Sequence, residues 1–210
     1  MHVIDTDFTQ KIIFSDEATF FTNGNFNHQN FRYWAPDNPH WMGDLGMQNA
    51  EKILVWAGIF DNQIVGPFLL RGNVTADNYL HMLQTLVMPS LQRLPTLPEF
   101  FQQDGAPPHY ATTVRQFLDG AFPGCWIGRA GPITWPARSP DLTPCDYFLW
   151  GYVKHEVYKT RIQSLNHLEQ RIFEVFESIP EGMLQNVLDH WVERLEACEM
   201  QGGHHIEHLL

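Results

Sequence analysis

Two apolar runs, residues 53–60 and 64–70, are rich in Ile, Val, Leu and Phe and are parted only by Asp61, Asn62 and Gln63. So short a break between two strand-like runs leaves room only for a tight reversal, and the pair predicts an antiparallel hairpin. Residues 11–14 read as a short apolar strand ahead of it, running into acid at Asp16 and Glu17. A helical stretch follows, capped at Thr75, with Tyr79, Leu83, Leu86 and Val87 at helical spacing until Pro89 breaks or kinks it. Residues 100–103 read as a further strand that stops at Asp104, and Val114, Phe117, Leu118 and Ala121 mark a second amphipathic helix.

The stretch 120–139, rich in Gly, Pro and Trp, reads mostly as loop with one brief strand near Trp126. Three helices close the chain. The first starts near Pro144, the second carries Leu165, Leu168, Ile172, Val175 and Ile179, and the third carries Leu184, Val187, Leu188, Trp191 and Leu195. Strands first, then a helix and a strand, then helices: the expectation is an α/β fold with a mixed sheet.

At 210 residues, 44% of them hydrophobic and 18% charged, the chain suits one domain with a sizeable core. No run approaches the ~18 apolar residues of a membrane span, and no secretory leader is recognisable. A soluble intracellular protein with no membrane partner is expected. Cys125, Cys145 and Cys198 are odd in number and widely spaced, which fits reduced thiols better than a disulfide framework. The net charge of −11 excludes a simple basic nucleic-acid binder. Residues 180–210 hold six acids against one Arg, so that face is not expected to meet DNA.

Acids fall where open α/β folds place their chemistry. Asp16 is expected to end the first strand, Asp104 ends a later one, and Asp141 and Asp146 lie at a helix entrance. Oxygen-only ligands suit Mg²⁺ or Mn²⁺, and two such ions ~3.5–4 Å apart can drive phosphoryl transfer. Each acid also has an ordinary reading. Asp16, Asp104 and Asp141 could be turn residues, and Thr143 to Asp146 could form a capping box on the helix that follows. Taken singly, the acids support no function.

Taken together, the strings around them resemble the catalytic domain of the mariner-type DNA transposases. The matching residues are FSDEATF at Asp16, KILVWAG and GPFLL in the hairpin, QQDGAPPH at Asp104 and SPDLTPCDYFLWGYVK at Asp146, in that order. The resemblance implies a ribonuclease-H-like mixed sheet, antiparallel in its first three strands and parallel afterwards, flanked by helices and ending in a helical part. It implies a triad of Asp16, Asp104 and Asp146, catalytic and metal-holding, with two Mg²⁺ or Mn²⁺ ions. The third acid falls five residues beyond the acid of the SPD string, on Asp146 and not on Asp141. The 41 residues between Asp104 and Asp146 exceed the interval of the best-known mariner branch, which places extra loop around residues 120–133.

The implied activity is cleavage of DNA phosphodiesters and joining of 3′-hydroxyl ends to target DNA, in the nucleus, by an enzyme that can act as a homodimer. DNA, both element ends and target, is the implied partner. Family members carry a bipartite helix-turn-helix region before the first catalytic strand, whereas ten residues precede Lys11 here. The expected organisation is a remnant at 1–10, the catalytic domain at 11–200 and a tail at 201–210. A fragment, a truncated copy and a derived gene all remain open. So does an alternative in which the fold survives as a DNA- or protein-binding module without catalysis.

Further candidates for touching DNA are Arg129, Arg138 and Lys154 on a weakly basic lip, and Trp135 in the loop. His109 could donate to a phosphate, or could merely secure the first turn of the following helix. Glu17, one residue on from Asp16, should point to the other face of a strand and stands outside the triad. His204, His205 and His208 read as tail residues, and Tyr147, Phe148 and Trp150 as core.

Overall fold

The computed structural model describes residues 6–24, 50–135, 139–204 and 206. Its centre is a six-stranded sheet in the order β3-β2-β1-β4-β5-β6. The strands are β1 (Ile12–Phe21), β2 (Lys52–Phe60), β3 (Gln63–Leu70), β4 (Phe100–Gln102), β5 (Trp126–Gly128) and β6 (Ile133–Thr134). The first three are antiparallel, and β1, β4, β5 and β6 run parallel. The expected mixed sheet is therefore present. The hairpin turn between β2 and β3 takes Asp61 at φ 52°, a left-handed geometry that Asp tolerates.

Three expectations need correction. The first strand does not stop at Phe14: it continues to Phe21, paired residue for residue with β2 as far as Phe21↔Lys52, so Asp16 sits in mid-strand. The two acids do not end it because each face of the sheet supplies its own polar neighbours, as shown below. Second, Pro89 does not end its helix. α1 (Ala76–Met82) passes through a π-type turn, Leu83–Val87, into α2 (Met88–Leu91), with Pro89 in the first turn of α2, where a missing N–H is tolerated. Third, the loop after Trp126 holds a second strand, β6, two residues long and exposed, too short to leave a pattern.

Thr75 caps α1 as expected, exchanging hydrogen bonds with Asn78 in a reciprocal box. α3 spans Thr112–Ala121, and the C-terminal part holds a π-type turn (Cys145–Leu149), α4 (Trp150–Tyr158), α5 (Leu165–Glu177) and α6 (Glu181–Met200). Alternation along β1 divides the core in two. Phe14, Ala18 and Phe20 face α4, α5 and α6, with Trp150, Leu168 and Trp191, while Ile13 faces α1 and α3, with Tyr79, Val114 and Trp126. Phe8 packs edge-on against Phe100, and Ile206 is fully buried beside Leu142. Arg138, His205 and His208 lie outside the described residues, and no described helix is long and apolar enough to cross a membrane.

Candidate active site

β4 stops at Gln102 while its parallel neighbour β1 runs on to Phe21. The register Phe14↔Gln102, carried two residues further, brings Asp104 alongside Asp16 at this step in the sheet. Asp16 shares its face with Phe14 and Ala18, and so looks toward the C-terminal helices. There the Trp150 indole N–H donates to its Oδ2 at 2.8 Å. Part of the Asp16 surface still meets solvent, but protein surrounds the rest. Its carboxyl is held well above the ordinary range, first by burial and then by the negative charges of Asp146, Glu17 and Asp104. These acids are thus close enough to repel one another.

Asp146 lies in the π-type turn that opens α4. The capping box that was the ordinary alternative for Asp146 does not form. Thr143 gives its hydroxyl to Ser139 O at 3.3 Å, and no side chain caps the turn. Asp141 is buried, accepts the Ile206 N–H at 3.4 Å, and its carbonyl takes a guanidinium N–H of Arg194 at 2.9 Å. Its role is to fasten the end of α6 and the segment beyond.

Lys154, one candidate for meeting DNA, is only 6% exposed, with its ammonium 5.7 Å from the Phe20 ring. Burial pulls its pKa down, and the charges of Asp16 and Asp146 pull it back up. The structure therefore buries this cation between α4 and β1, where it feels the charges of Asp16 and Asp146 and does not face outward.

On the other face Glu17 points away from Asp16, as alternation requires, and meets His109. That histidine is 2% exposed, with Nε2 3.2 Å from Glu17 Oε2 and Nδ1 2.5 Å from Asp104 Oδ1. The Nε2 contact is an ion pair whose direction is not that of a hydrogen bond, and Glu17 Oε1 has no partner. Burial alone would lower the His109 pKa. Glu17 and Asp104 reverse that and raise it to about 10, so the ring stands as an imidazolium. In return Asp104, which burial would push up, is held below its ordinary value by the His109 hydrogen bond and charge and by the Ala106 N–H.

The His109 ring lies 4.2 Å from that of Tyr79, whose hydroxyl donates to Gln103 Oε1 at 2.9 Å; Gln103 Nε2 in turn donates to the His109 carbonyl at 3.2 Å. Replacing Tyr79 with Phe strands the buried Gln103 oxygen. The expected cost is about 1–3 kcal/mol, read as a lower urea midpoint with an unchanged m value.

Among the remaining candidates, Arg129 is exposed beside Tyr110, and Trp135 is half-buried against the core that faces α4 to α6, with its backbone N–H donating to Gly128 O. Glu17, Trp150 and Tyr79 are not among the site residues that the sequence offers. The strand parity of Glu17 was the one signal that could have pointed to the second network.

Among the described residues, no three His, Cys, Asp or Glu side chains are gathered closely enough to cage a metal ion. The donor set nevertheless fits a hard divalent cation, since the facing groups are carboxylates and the repulsion felt by Asp16 is what a cation would relieve.

No family model matches the chain. It is 25% identical over 198 residues to the transposable element Tc3 transposase of Caenorhabditis elegans, covering 92% of this chain and 57% of that protein. Over most of its length the chain is thus similar in sequence to a transposase of a transposable element. Its fold agrees with that relationship. The Mos1 transposase in its paired-end complex with the left transposon end superposes with a TM-score of 0.74 at 23% identity, covering 95% of this chain and 57% of that one. The Mos1 catalytic domain solved with Raltegravir and Mn gives 0.70 at 22%, covering 95% and 86%. The sheet and its flanking helices thus share the ribonuclease-H-like fold of the Mos1 catalytic domain, and the chain spans a little over half the length of Tc3 transposase.

Proposed function

We propose that this chain is the catalytic portion of a mariner-type DNA transposase, cutting DNA phosphodiesters and joining the freed 3′-hydroxyl to target DNA. The observation that carries this reading is the setting of Asp16, a mid-strand carboxylate crowded by Asp146 and Asp104 where β4 ends. Asp16, Asp104 and Asp146 would hold Mg²⁺ or Mn²⁺, two ions in all. When bound, such ions make the attacking oxygen a better nucleophile and stabilise the leaving oxygen.

The chain's own groups do the positioning. Trp150 fixes the Asp16 carboxylate from one side of the sheet, and the His109 imidazolium fixes Asp104 from the other. Lys154 offsets part of the negative charge until a cation arrives. The DNA-end and Mn-containing structures of Mos1 support DNA and a divalent ion as partners. The proposal extends to action as a homodimer and to work in the nucleus.

The test is plasmid nicking by the purified chain with Mn²⁺, with EDTA, and with Asp146→Asn. Mn²⁺-dependent nicking should fall at least about 10³-fold in the variant, some 4 kcal/mol of transition-state stabilisation. Equal nicking by wild type and variant sinks the reading.

A further inference from the structure

Resting on that proposed function, we infer that Tyr110, Arg115 and Arg129 form a clamp for the DNA phosphodiester backbone beside Asp104. Tyr110 follows His109 directly and leaves 39% of its surface exposed. The Arg115 guanidinium lies 4.8 Å from its ring centroid and that of Arg129 4.5 Å, so one ring holds two cations together. Arg115 comes from the first turn of α3 and is steadied by Nε donating to Tyr110 O at 3.1 Å and Nη2 to Thr112 Oγ1 at 3.5 Å. Arg129 comes from the turn after β5, and a Cβ on Gly105 would sit 3.3 Å from its Cβ and Cδ. Its stem therefore lies over the residue that follows Asp104.

These cations are otherwise uncommitted. Among the described residues neither guanidinium has a carboxylate partner, and Arg129 has no hydrogen bond. Two guanidinium groups gathered on one ring, in a chain of net charge −11, make a local positive spot suited to an anion. Guanidinium forks match phosphate oxygens in pairs, and the stack stands next to a carboxylate of the cleavage site. The backbone of the substrate strand, close to the scissile bond, is the anion that this position would meet. Such a grip reads charge and spacing and no base sequence.

The experiment is fluorescence anisotropy of a short labelled duplex with the 210-residue chain over a KCl series, with Ca²⁺ replacing Mn²⁺ to prevent cutting. Arg115→Gln and Arg129→Gln should each flatten the slope of log affinity against log salt by about 1, and the double variant by about 2, equally on duplexes of different sequence. Tyr110→Leu, which removes the ring under both guanidinium groups, should weaken binding about as much as one arginine substitution. In nicking, the loss falls on KM more than on kcat. Inorganic phosphate that displaces the duplex at low millimolar concentration marks a small-anion site and overturns the DNA clamp.

An unchanged salt slope in the double variant also overturns it. If the wild type still nicks with Mn²⁺ and Asp146→Asn does not, that outcome leaves the proposed function standing. A wild type that fails to bind DNA overturns the clamp and, if it also fails to nick, the function with it.

Discussion

Asp16→Asn abolishes metal-dependent nicking and at the same time makes the protein melt at a higher temperature. The first effect follows from losing a charged ligand, and is expected to exceed about 10³-fold. The second follows from the raised pKa of the group. A carboxyl whose folded pKa lies above its unfolded value contributes stability at low pH, and that stability is lost as pH rises from about 3.8 through the folded pKa. As pH rises above about 3.8 the wild type takes on this cost progressively, and the amide variant does not. Because Asn keeps an oxygen to accept the Trp150 N–H, the variant should gain about 2–4 °C for each kcal/mol relieved.

The gain should shrink toward pH 4. Added Mn²⁺ should raise the melting temperature of the wild type and leave the variant's in place. A variant that melts below the wild type at every pH would contradict this account of the cluster.

His109→Ala should have the opposite sign and be the most destabilising single change at the site. It leaves Glu17 buried without its counter-charge, a situation that costs about 3–5 kcal/mol when one member of a buried pair is removed. The pH dependence tests the cause. His109 is raised from 6.5 to about 10, so its contribution is complete below pH 6.5 and drains away as pH climbs toward 10. Urea denaturation of both proteins from pH 6 to 10 should show their stabilities converging. A constant difference would assign the loss to packing against Tyr79 instead. Nicking should fall by about 10–100-fold, the usual penalty for losing the group that orients a metal-holding residue.

Much of the architecture is visible in the amino-acid pattern because it rests on local periods. The hairpin, the Thr75 cap and the three closing helices need only neighbours along the chain. What failed was whatever depends on packing from far away. Asp16 and Glu17 look like the end of a strand until Trp150 on one side and His109 on the other are in place. Pro89 looks like a helix end until a π-type turn precedes it.

The acids drew attention only through the strings around them, since each alone could be a turn or a cap. Charge and position make Lys154 a candidate for DNA, and leave His109 open between a phosphate contact and a structural role. Their burial comes from α4 lying over β1 and from the chain after β4 folding back onto Glu17, which no spacing reveals. Arg115 and Tyr110 carry no pattern of their own. They become notable only where the turn after β5 brings Arg129 to them.

β1 presents consecutive acids to opposite sides of the sheet, and this sets how the gene can vary. Gain or loss of a single codon between Ile12 and Asp16 would exchange the two sides, sending Glu17 or Ser15 to Trp150 and Asp16 toward Tyr79. The apolar residues of the strand on the shifted side of the change would swap faces with them. Length changes in this stretch should therefore be all but absent from functional copies. The chain between Ala121 and Trp126, outside any helix or strand, has no such parity to keep and can lengthen or shorten at little cost.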